Sequence, residues 1–292
     1  MVGANVSGAW PSNDLVFDVE KRLDFMDREG IDMHVLSVIP PNFLYDTPPE
    51  VAMDLARAQN DAIAEIVQAY PGRFIGAAHV PLQNVQDAVE ELDRAVEELG
   101  MTSVQIGTDI NGEKLDSPSL WPFYEEAEKL DAPIIVHPNN PTGSEKMRKY
   151  YLSNLIGYPL ETALGIASVI FGGVLERFGG LKFCWAHGGG FLPYQIGRLD
   201  HGYRVRPEPK TAIIRPPSEY FKMMYFDTIT HSLLALEYLI GVVGIDRVLM
   251  GSDFPFDMAD PNPVHSIQSV RTITSEEKKK ILGSNSSKLF IK

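Results

Sequence analysis

Three polar side chains stand at the ends of strands that the sequence predicts to be buried. The apolar run 133–137 ends in His137, the run 183–187 ends in His187, and the run 248–253 ends in Asp253. Three glycines follow His187 directly, which lets the backbone turn sharply and leaves room for a ligand beside the imidazole ring. Because the carboxyl ends of parallel strands meet at one face of a barrel, we expect the three side chains to converge.

Two imidazoles and a carboxylate are a donor set that suits a divalent metal ion. Imidazole nitrogen and carboxylate oxygen bind Zn²⁺ or a similar ion, with one open position for water. A single histidine could equally be a core residue with a satisfied hydrogen bond. Two strand-end histidines together with a strand-end aspartate favour a site, so the pattern predicts metal-assisted chemistry.

Strand-like and helix-like segments alternate along the chain. The predicted strands are 33–39, 73–82, 102–107, 133–137, 181–187, 223–228 and 246–252. The predicted helices are 18–29, 50–70, 85–99, 117–130, 159–178, 191–203, 233–243 and 275–282. Regular alternation with continuous apolar strands indicates a parallel sheet covered by helices, here a (β/α)8 TIM-like barrel of the metal-dependent hydrolase type.

A closed barrel of this type needs eight strands, and the pattern supplies seven. The first predicted element is a helix that follows loop-like sequence, so we expect the first strand to be missing from this chain. No break in composition suggests a second domain. Residues 1–292 are therefore predicted to form a single barrel domain.

Charge and cysteine content narrow the class of protein. The formal net charge is −13, from 39 acidic and 26 basic residues, which argues against non-specific nucleic-acid binding. An anionic substrate would need locally placed Arg or Lys. The single cysteine, Cys184, cannot form an intramolecular disulfide and fits a reducing compartment. With neither a long apolar run nor a secretory signal at residues 1–5, we expect a cytoplasmic protein that does not bind membranes.

The ordered strand-end motifs resemble a known family. Val136-His137-Pro138, the run 186–190 (Ala-His-Gly-Gly-Gly) and the run 251–256 (Gly-Ser-Asp-Phe-Pro-Phe) look like those of the amidohydrolase-related metal-dependent decarboxylases, in particular the aminocarboxymuconate-semialdehyde decarboxylase-like members. The likeness extends from about residue 15 to the C-terminus. The ordered set is specific for the superfamily and less specific for the reaction.

The resemblance implies a role for each matching residue. His137 and Asp253 match metal ligands, Zn²⁺ being expected and Mn²⁺ the alternative. His187 matches the catalytic acid/base that works on metal-bound water, and Asp253 also belongs to the catalytic set. Arg198 matches an arginine that holds a substrate carboxylate and reaches into the neighbouring subunit, which implies a homodimer. Without the resemblance, Arg198 reads as a solvated helix residue, and Cys184 as a small buried strand residue.

One departure from the family pattern concerns the metal. The family carries a His-x-His or Glu-x-His pair on its first strand, whereas His34 is followed two positions later by Leu36. We expect His34 to belong to the second strand and to be structural. His79 and His231 are the candidates to replace the missing ligands.

Three functions follow from this set of residues. The leading one is non-oxidative decarboxylation of a small unsaturated or aromatic carboxylate. The alternative is a metal-dependent hydrolase or hydratase that acts on a lactone, an amide or an activated alkene, because the same residues serve that chemistry. The third is a catalytically impaired remnant that lacks two metal ligands.

Overall fold

A parallel sheet of seven strands forms the centre of the structure, a computed structural model that describes residues 14–291. Its strands, with a separate two-stranded hairpin (β4 and β5), are β1 His34–Leu36, β2 Phe74–His79, β3 Ser103–Gly107, β4 Asp109–Ile110, β5 Glu113–Lys114, β6 Ile134–His137, β7 Phe183–Trp185, β8 Tyr225–Asp227 and β9 Val248–Leu249. The order in the large sheet is β1-β2-β3-β6-β7-β8-β9, and every neighbouring pair is parallel. Chain order is therefore kept across the sheet.

Helices connect successive strands, as parallel pairing requires. They are α1 Asp14–Phe17, α2 Val19–Glu29, α3 Pro49–Ala69, α4 Val85–Glu97, α5 Trp121–Lys129, α6 Tyr158–Phe171, α7 Val174–Arg177, α8 Leu192–Val205, α9 Pro217–Phe221, α10 Leu233–Val243, α11 Pro263–Gln268, α12 Ser275–Lys279 and α13 Asn285–Phe290. The sequence pattern predicts α2, α3, α4, α8 and α10 to within about two residues at each end.

Local sequence explains where these helices begin and end. The Asp18 side chain accepts a hydrogen bond from the Lys21 backbone N–H at 3.1 Å, which caps the start of α2. Gly30 ends that helix in the left-handed conformation, with φ 69°. At the other end of the chain, Thr274 and Glu277 form a capping box that starts α12.

Two helices that the sequence predicts as continuous are interrupted in the structure. The pattern predicts one helix over 159–178, but the chain breaks between α6 and α7, where Gly173 has φ 73° and a Cβ there would overlap the Ala212 carbonyl oxygen. The pattern also predicts one helix over 275–282. The chain instead passes from α12 through the π-helical turn Lys280–Ser284 into α13.

Side chains alternate between the two faces of the sheet. One face packs against the surrounding helices, and Ile134, Val136, Phe183, Trp185 and Phe226 are fully buried there. The opposite face carries a smaller apolar cluster that the C-terminal helix α13 completes: Val35, Ile75, Ile135, Cys184, Tyr225, Leu249, Leu289 and Phe290. A curled parallel sheet with helices outside is the TIM-like arrangement that the sequence predicts.

The strands β1 and β9 end the sheet within residues 14–291. A cavity of about 730 Å³ lies against both strands, and its lining includes His34, Gln105, Cys184, Leu249 and Phe290. The predicted absence of a first strand, which would precede α2, stays a prediction. The expectation about a secretory signal falls on residues 1–13, outside the described part of the chain.

One helical segment has the length and composition of a membrane span. Residues 153–171 comprise a π-helical turn and α6, with mean hydropathy 1.3. The buried face of α6 packs into the core through Gly165, Ile166, Val169 and Ile170, and its Glu161 is fully buried and paired with Lys114. Such features also characterise a core helix, so the expectation that the protein does not bind membranes stays a prediction.

Candidate active site

His137 is the last residue of β6, where it pairs with Gly107 of β3. Its Nδ1 lies 2.9 Å from the carbonyl oxygen of Pro138. A carbonyl oxygen only accepts hydrogen bonds, so Nδ1 carries the proton and Nε2 keeps a free lone pair. This single contact fixes the ring in the tautomer that a metal ligand or an acceptor needs.

His187 begins the glycine-rich turn that follows β7. Its backbone N–H and that of Gly188 each donate to the Asp227 carboxylate at 2.8 Å. Gly190 comes so close to α6 that a Cβ there would overlap the Pro159 carbonyl oxygen. His187 itself has φ 55°, a left-handed conformation that is uncommon outside glycine. The turn is thus held from two sides, which fixes where the imidazole points.

Asp253 lies four residues beyond β9 and also has a left-handed backbone, with φ 56°. The Phe256 N–H donates to the Asp253 carbonyl oxygen at 3.0 Å, and the Phe254 N–H donates to the Ser252 hydroxyl oxygen at 3.3 Å. The Asp260 N–H closes the loop on the Ser252 carbonyl oxygen at 2.9 Å. These local bonds hold the carboxylate over the end of the sheet.

The structure brings the three predicted side chains together. Ligand atoms of His137, His187 and Asp253 all lie within 4.8 Å of one another. The rings of His137 and His187 meet edge to face with centroids 4.8 Å apart, and His187 Nε2 lies 3.7 Å from Asp253 Oδ2. Three residues from three strand ends therefore form one cluster, while their individual roles stay predictions.

Burial and charge act differently on the three groups. Burial, with the neighbouring charge of His187, lowers the pKa of His137 to about 4, so its Nε2 is neutral. Burial also lowers the pKa of His187, but Asp253 and then Asp227 outweigh it and bring the pKa above its ordinary value. Burial raises the pKa of Asp253, but His187, His137 and His231 outweigh it and bring that pKa below its ordinary value. The cluster therefore combines a neutral imidazole, that of His137, with a His187–Asp253 pair in which each residue favours the charged form of the other.

The cluster lies in the wall of a pocket of about 640 Å³. That volume accommodates a small ligand. Apolar and aromatic side chains form most of the wall, among them Tyr158, Phe191 and Leu239, and the Tyr158 ring stands edge-on to His137. None of the described residues that line the pocket is Arg or Lys.

The residues present fit a divalent metal ion. Two imidazoles and one carboxylate form a three-residue donor set known from catalytic zinc sites, in which the fourth position stays open. Two atoms bound at about 2.1 Å to one ion are at most about 4.2 Å apart. The ligand atoms of the three residues are 4.8 Å or less apart, which is close to that limit. His137 Nε2 is already deprotonated and so has the lone pair that a metal ligand needs.

Arg198 lies apart from this cluster. It is an exposed residue of α8 and does not line the pocket of its own chain. Tyr194, one helical turn earlier on the same face, is at the pocket rim. The position is compatible with the expected action on a neighbouring subunit, which stays a prediction.

The remaining histidines divide between structure and site. His79 is buried at the end of β2 and stacks on Phe43 with centroids 5.8 Å apart, and it is absent from the pocket lining. The expectation that His79 replaces a missing ligand is therefore wrong. His231 lines the pocket, although the described metal-ligating cluster does not include it. His34 belongs to β1, as the sequence predicts.

Asp227 is a site residue that the sequence reasoning missed. It ends β8, and its carboxylate accepts three backbone hydrogen bonds, from His187, Gly188 and Ile229 at 2.8, 2.8 and 3.0 Å. Burial raises the pKa of Asp227, and the charge of His187 and these bonds offset part of the effect. The signal was available, because Asp227 is a fourth polar residue at the carboxyl end of a predicted strand.

Comparison with known proteins identifies the family to which the chain belongs. The amidohydrolase family model matches residues 9–291. The chain belongs to the amidohydrolase family. Within it, the chain is 40% identical over 271 residues to the 2-amino-3-carboxymuconate-6-semialdehyde decarboxylase of Dictyostelium discoideum, which covers 92% of this chain and 75% of the relative. The predicted resemblance to aminocarboxymuconate-semialdehyde decarboxylase-like amidohydrolases is thereby confirmed.

Two solved structures of decarboxylases have the same fold as this chain. The 5-carboxyvanillate decarboxylase of Sphingomonas paucimobilis superposes with a TM-score of 0.86 at 30% identity, covering 92% of this chain and 82% of that one. A dihydroxybenzoic acid decarboxylase from Polaromonas sp., with bound manganese and the inhibitor 2-nitroresorcinol, gives 0.85 at 29% identity and covers 93% and 85%. Both of these proteins are decarboxylases, and the second structure holds a manganese ion.

Proposed function

We propose that this amidohydrolase is a metal-dependent, non-oxidative decarboxylase of a small aromatic or unsaturated carboxylate. It is a carbon–carbon lyase, like the relatives it matches. The observation that carries the proposal is the convergence of His137, His187 and Asp253 within 4.8 Å in the wall of a mainly apolar pocket. The same three residues stand in the ordered motifs that the chain shares with the family.

His187 is the residue proposed to move the proton. Decarboxylation breaks the bond between the ring carbon and the carboxyl carbon, leaves the electron pair on the ring carbon, and replaces the lost CO₂ with a proton. The raised pKa of His187 beside Asp253 keeps a proton available in the pocket. General acid catalysis of this kind typically contributes about 10²–10⁴-fold in rate.

His137 and Asp253 are the residues proposed to hold the metal ion. When bound, a divalent ion supplies a Lewis acid that stabilises the negative charge developing on the substrate. The donor set suits Zn²⁺, which we expect, and the manganese in a related structure makes Mn²⁺ the alternative. The family carries two further ligands on a first strand that we expect this chain to lack, so His137 and Asp253 are the ligands proposed here.

The apolar wall is proposed to favour loss of CO₂. A carboxylate is strongly solvated by water, whereas CO₂ is neutral, so a pocket that excludes water disfavours the reactant more than the product. Tyr158, Phe191 and Leu239 supply such a wall next to the cluster. A planar ring would pack against it.

The neighbouring subunit is the proposed source of a cation. The pocket has no Arg or Lys among its described lining residues, while Arg198 is exposed on α8 beside the rim. Exposed aromatic and aliphatic side chains surround that region, with Tyr194 77% and Leu234 77% exposed. A homodimer that buries this surface would bring Arg198 of one copy towards the pocket of the other. A cytoplasmic location, where a lone buried thiol stays reduced, completes the proposal.

Release of CO₂ separates the proposed reaction from its alternatives. The purified chain with Zn²⁺ or Mn²⁺ is incubated with ¹³C-carboxyl-labelled 2,6-dihydroxybenzoate and 5-carboxyvanillate, and labelled CO₂ is measured by mass spectrometry. Labelled CO₂ that is absent with Asp253→Asn supports the decarboxylase. Water uptake into a lactone or an activated alkene, without CO₂, would establish the hydrolase or hydratase. No turnover together with sub-stoichiometric metal would establish the impaired remnant.

A further inference from the structure

His187 and Asp253 both lie beyond the paired parts of the strands that carry them. The pairing of β7 with β8 ends at Trp185, two residues before His187. The pairing of β9 with β8 ends at Leu249, four residues before Asp253. The backbone hydrogen bonds between these strands therefore do not by themselves fix the distance between the two side chains.

The end of β8 is joined to the turn that follows β7. β8 lies between β7 and β9, and its last residue is Asp227. Asp227 Oδ2 accepts from the His187 N–H and Oδ1 accepts from the Gly188 N–H, both at 2.8 Å. Oδ1 also accepts from the Ile229 N–H at 3.0 Å, which ties the carboxylate to its own segment of the chain. Three backbone donors thus meet on one side chain, which anchors the His187 turn.

The next residue, Thr228, joins the same strand end to the segment that follows β9. Its hydroxyl oxygen accepts from the Gly251 N–H at 3.2 Å, and the hydroxyl donates to the Gly251 carbonyl oxygen at 3.5 Å. Gly251 lies two residues before Asp253. A Cβ on Gly251 would lie 2.9 Å from Asp227 Cβ, so the chain that leads to Asp253 passes directly against Asp227. Asp227 and Thr228 therefore contact both segments that carry the cluster residues.

Neither Asp227 nor Thr228 lines the pocket in which the substrate would bind. Any effect of the two side chains on the reaction would therefore pass through the backbone of His187 and of Gly251. Such an effect can be large, because a misplacement of about 1 Å can lower a rate by about 10²-fold.

We propose that Asp227 and Thr228 are positioning residues that together set the distance between His187 and Asp253. The inference rests on the proposed function for the reaction that this distance serves. Because the two residues are adjacent in the chain, a single peptide unit relates the anchor of the His187 turn to the anchor of the Gly251 segment. The separation of 3.7 Å between His187 Nε2 and Asp253 Oδ2 follows from this arrangement.

Asp227→Asn tests the anchor of the His187 turn. The amide keeps the shape of the side chain but has one acceptor oxygen, so its NH₂ group would face a backbone N–H that the carboxylate accepts. The purified chain with Mn²⁺ and ¹³C-carboxyl-labelled 2,6-dihydroxybenzoate gives kcat and KM from labelled CO₂. We expect kcat to fall by about 10²-fold with little change in KM or in metal content, because the pocket lining and the proposed ligands are kept. In a crystal structure of the variant, the His187 Nε2–Asp253 Oδ2 separation should change by about 0.5 Å or more.

Thr228 allows a matched pair of variants at the second anchor. Thr228→Val removes the hydroxyl and keeps the branched shape, whereas Thr228→Ser keeps the hydroxyl. We expect Thr228→Val to lower kcat with little change in KM, and Thr228→Ser to keep most of the activity of the unmodified chain. An equal loss of kcat in both variants would contradict the role, because packing rather than the hydrogen bonds to Gly251 would then be responsible.

Asn84 provides the control for a loss of stability alone. Its side chain also accepts two backbone N–H bonds, from Gln86 at 3.1 Å and from Asp87 at 3.5 Å, at the start of α4 and outside the pocket lining. Asn84→Ala should lower the thermal unfolding midpoint and leave kcat unchanged. An unchanged kcat or an unchanged separation in Asp227→Asn, or a loss of kcat that Asn84→Ala matches, would each overturn the inference.

Failure of this inference and failure of the proposed function give different results. A changed His187–Asp253 separation in Asp227→Asn, in a chain that releases no CO₂, would support the positioning role and contradict the decarboxylase. CO₂ release at an unchanged rate in both Asp227→Asn and Thr228→Val would support the decarboxylase and contradict the positioning role.

Discussion

His187 and Asp253 face each other with Nε2 and Oδ2 3.7 Å apart, although they follow different strands of the sheet. The separation is an ion-pair distance, longer than a hydrogen bond. An ion placed between the two residues and His137 would have all three within short reach. Metal binding and proton transfer can therefore be tested separately by replacing one of these two neighbouring residues at a time.

Replacement of the two residues should separate these properties. In a chain that binds metal, His187→Ala should lower kcat by about 10²–10⁴-fold while most of the metal is kept, because the proton donor is lost. Asp253→Ala should lower both metal content and kcat, because its carboxylate is a proposed metal ligand. Elemental analysis beside steady-state kinetics measures both. Equal metal loss in the two variants would instead make His187 a third ligand.

Buried His79 should make the free energy of unfolding depend on pH. Burial lowers its pKa to about 4, and its Nδ1 has no hydrogen-bond partner. The unfolded chain takes up a proton below the ordinary value of 6.5. Stability is therefore full above pH 6.5 and falls as the pH drops towards 4, by at most about 3 kcal/mol for this residue.

Urea titrations from pH 7 to pH 4 measure that dependence. His79→Phe, which keeps the stacking on Phe43, should flatten the curve between pH 6.5 and 4. His34 has a similarly lowered pKa, to about 4, and His34→Phe should remove a separate share of the slope. A slope that neither variant changes would show that these imidazoles take up protons in the folded state.

The buried Glu161 should stabilise the loop that follows His137. Its carboxylate accepts from Lys114 Nζ at 3.0 Å and from the Thr142 N–H at 3.0 Å. Glu161→Gln should lower the free energy of unfolding by about 1–3 kcal/mol, because the buried carboxylate loses its charge and with it the charge-assisted hydrogen bond from Lys114. Glu276→Gln, in a pair whose side chains are 78% and 68% exposed, should change it by less than about 1 kcal/mol. Urea denaturation of both variants measures the contrast, and equal effects would contradict it.

The turn after His187 should tolerate no side chain at its last glycine. Gly190 has φ 62° and ψ −129°, and a Cβ there would overlap the Pro159 carbonyl oxygen. Gly190→Ala should therefore destabilise the fold by more than about 2 kcal/mol and displace His187. The matched variant Gly197→Ala lies within α8 with open space around it and should be neutral or stabilising by up to about 1 kcal/mol. The thermal unfolding midpoints of the two variants measure this contrast, and equal midpoints would contradict it.

The residues of the cluster could be predicted because their signal combines local sequence with topology. An apolar run that ends in a polar residue marks the carboxyl end of a strand, and parallel pairing then gathers such ends on one face. Asp227 obeys the same rule but acts on backbone N–H groups, which no spacing in the sequence reveals. The break after α6 was also hidden, because it depends on the approach of Gly173 to Ala212.

Strand lengths were overestimated for a related reason. The pattern predicts a strand over 33–39, whereas β1 covers His34–Leu36, the residues that pair with Phe74 and its neighbours in β2. An apolar run shows which residues are suited to a sheet, while a strand exists only where a neighbour supplies hydrogen bonds.

Cys184 is the only thiol in the chain, and its reaction with alkylating reagents can report whether the barrel is open. It lies in β7 on the same face as Leu249 and Phe290, and burial raises the pKa of the thiol well above its ordinary value. Alkylating reagents attack the thiolate, so the folded chain should react slowly and the opened chain quickly. The rate at which the native protein is alkylated therefore measures how often β7 separates from its neighbouring strands. Any ligand that closes the barrel would be detected as protection of this one sulfur atom.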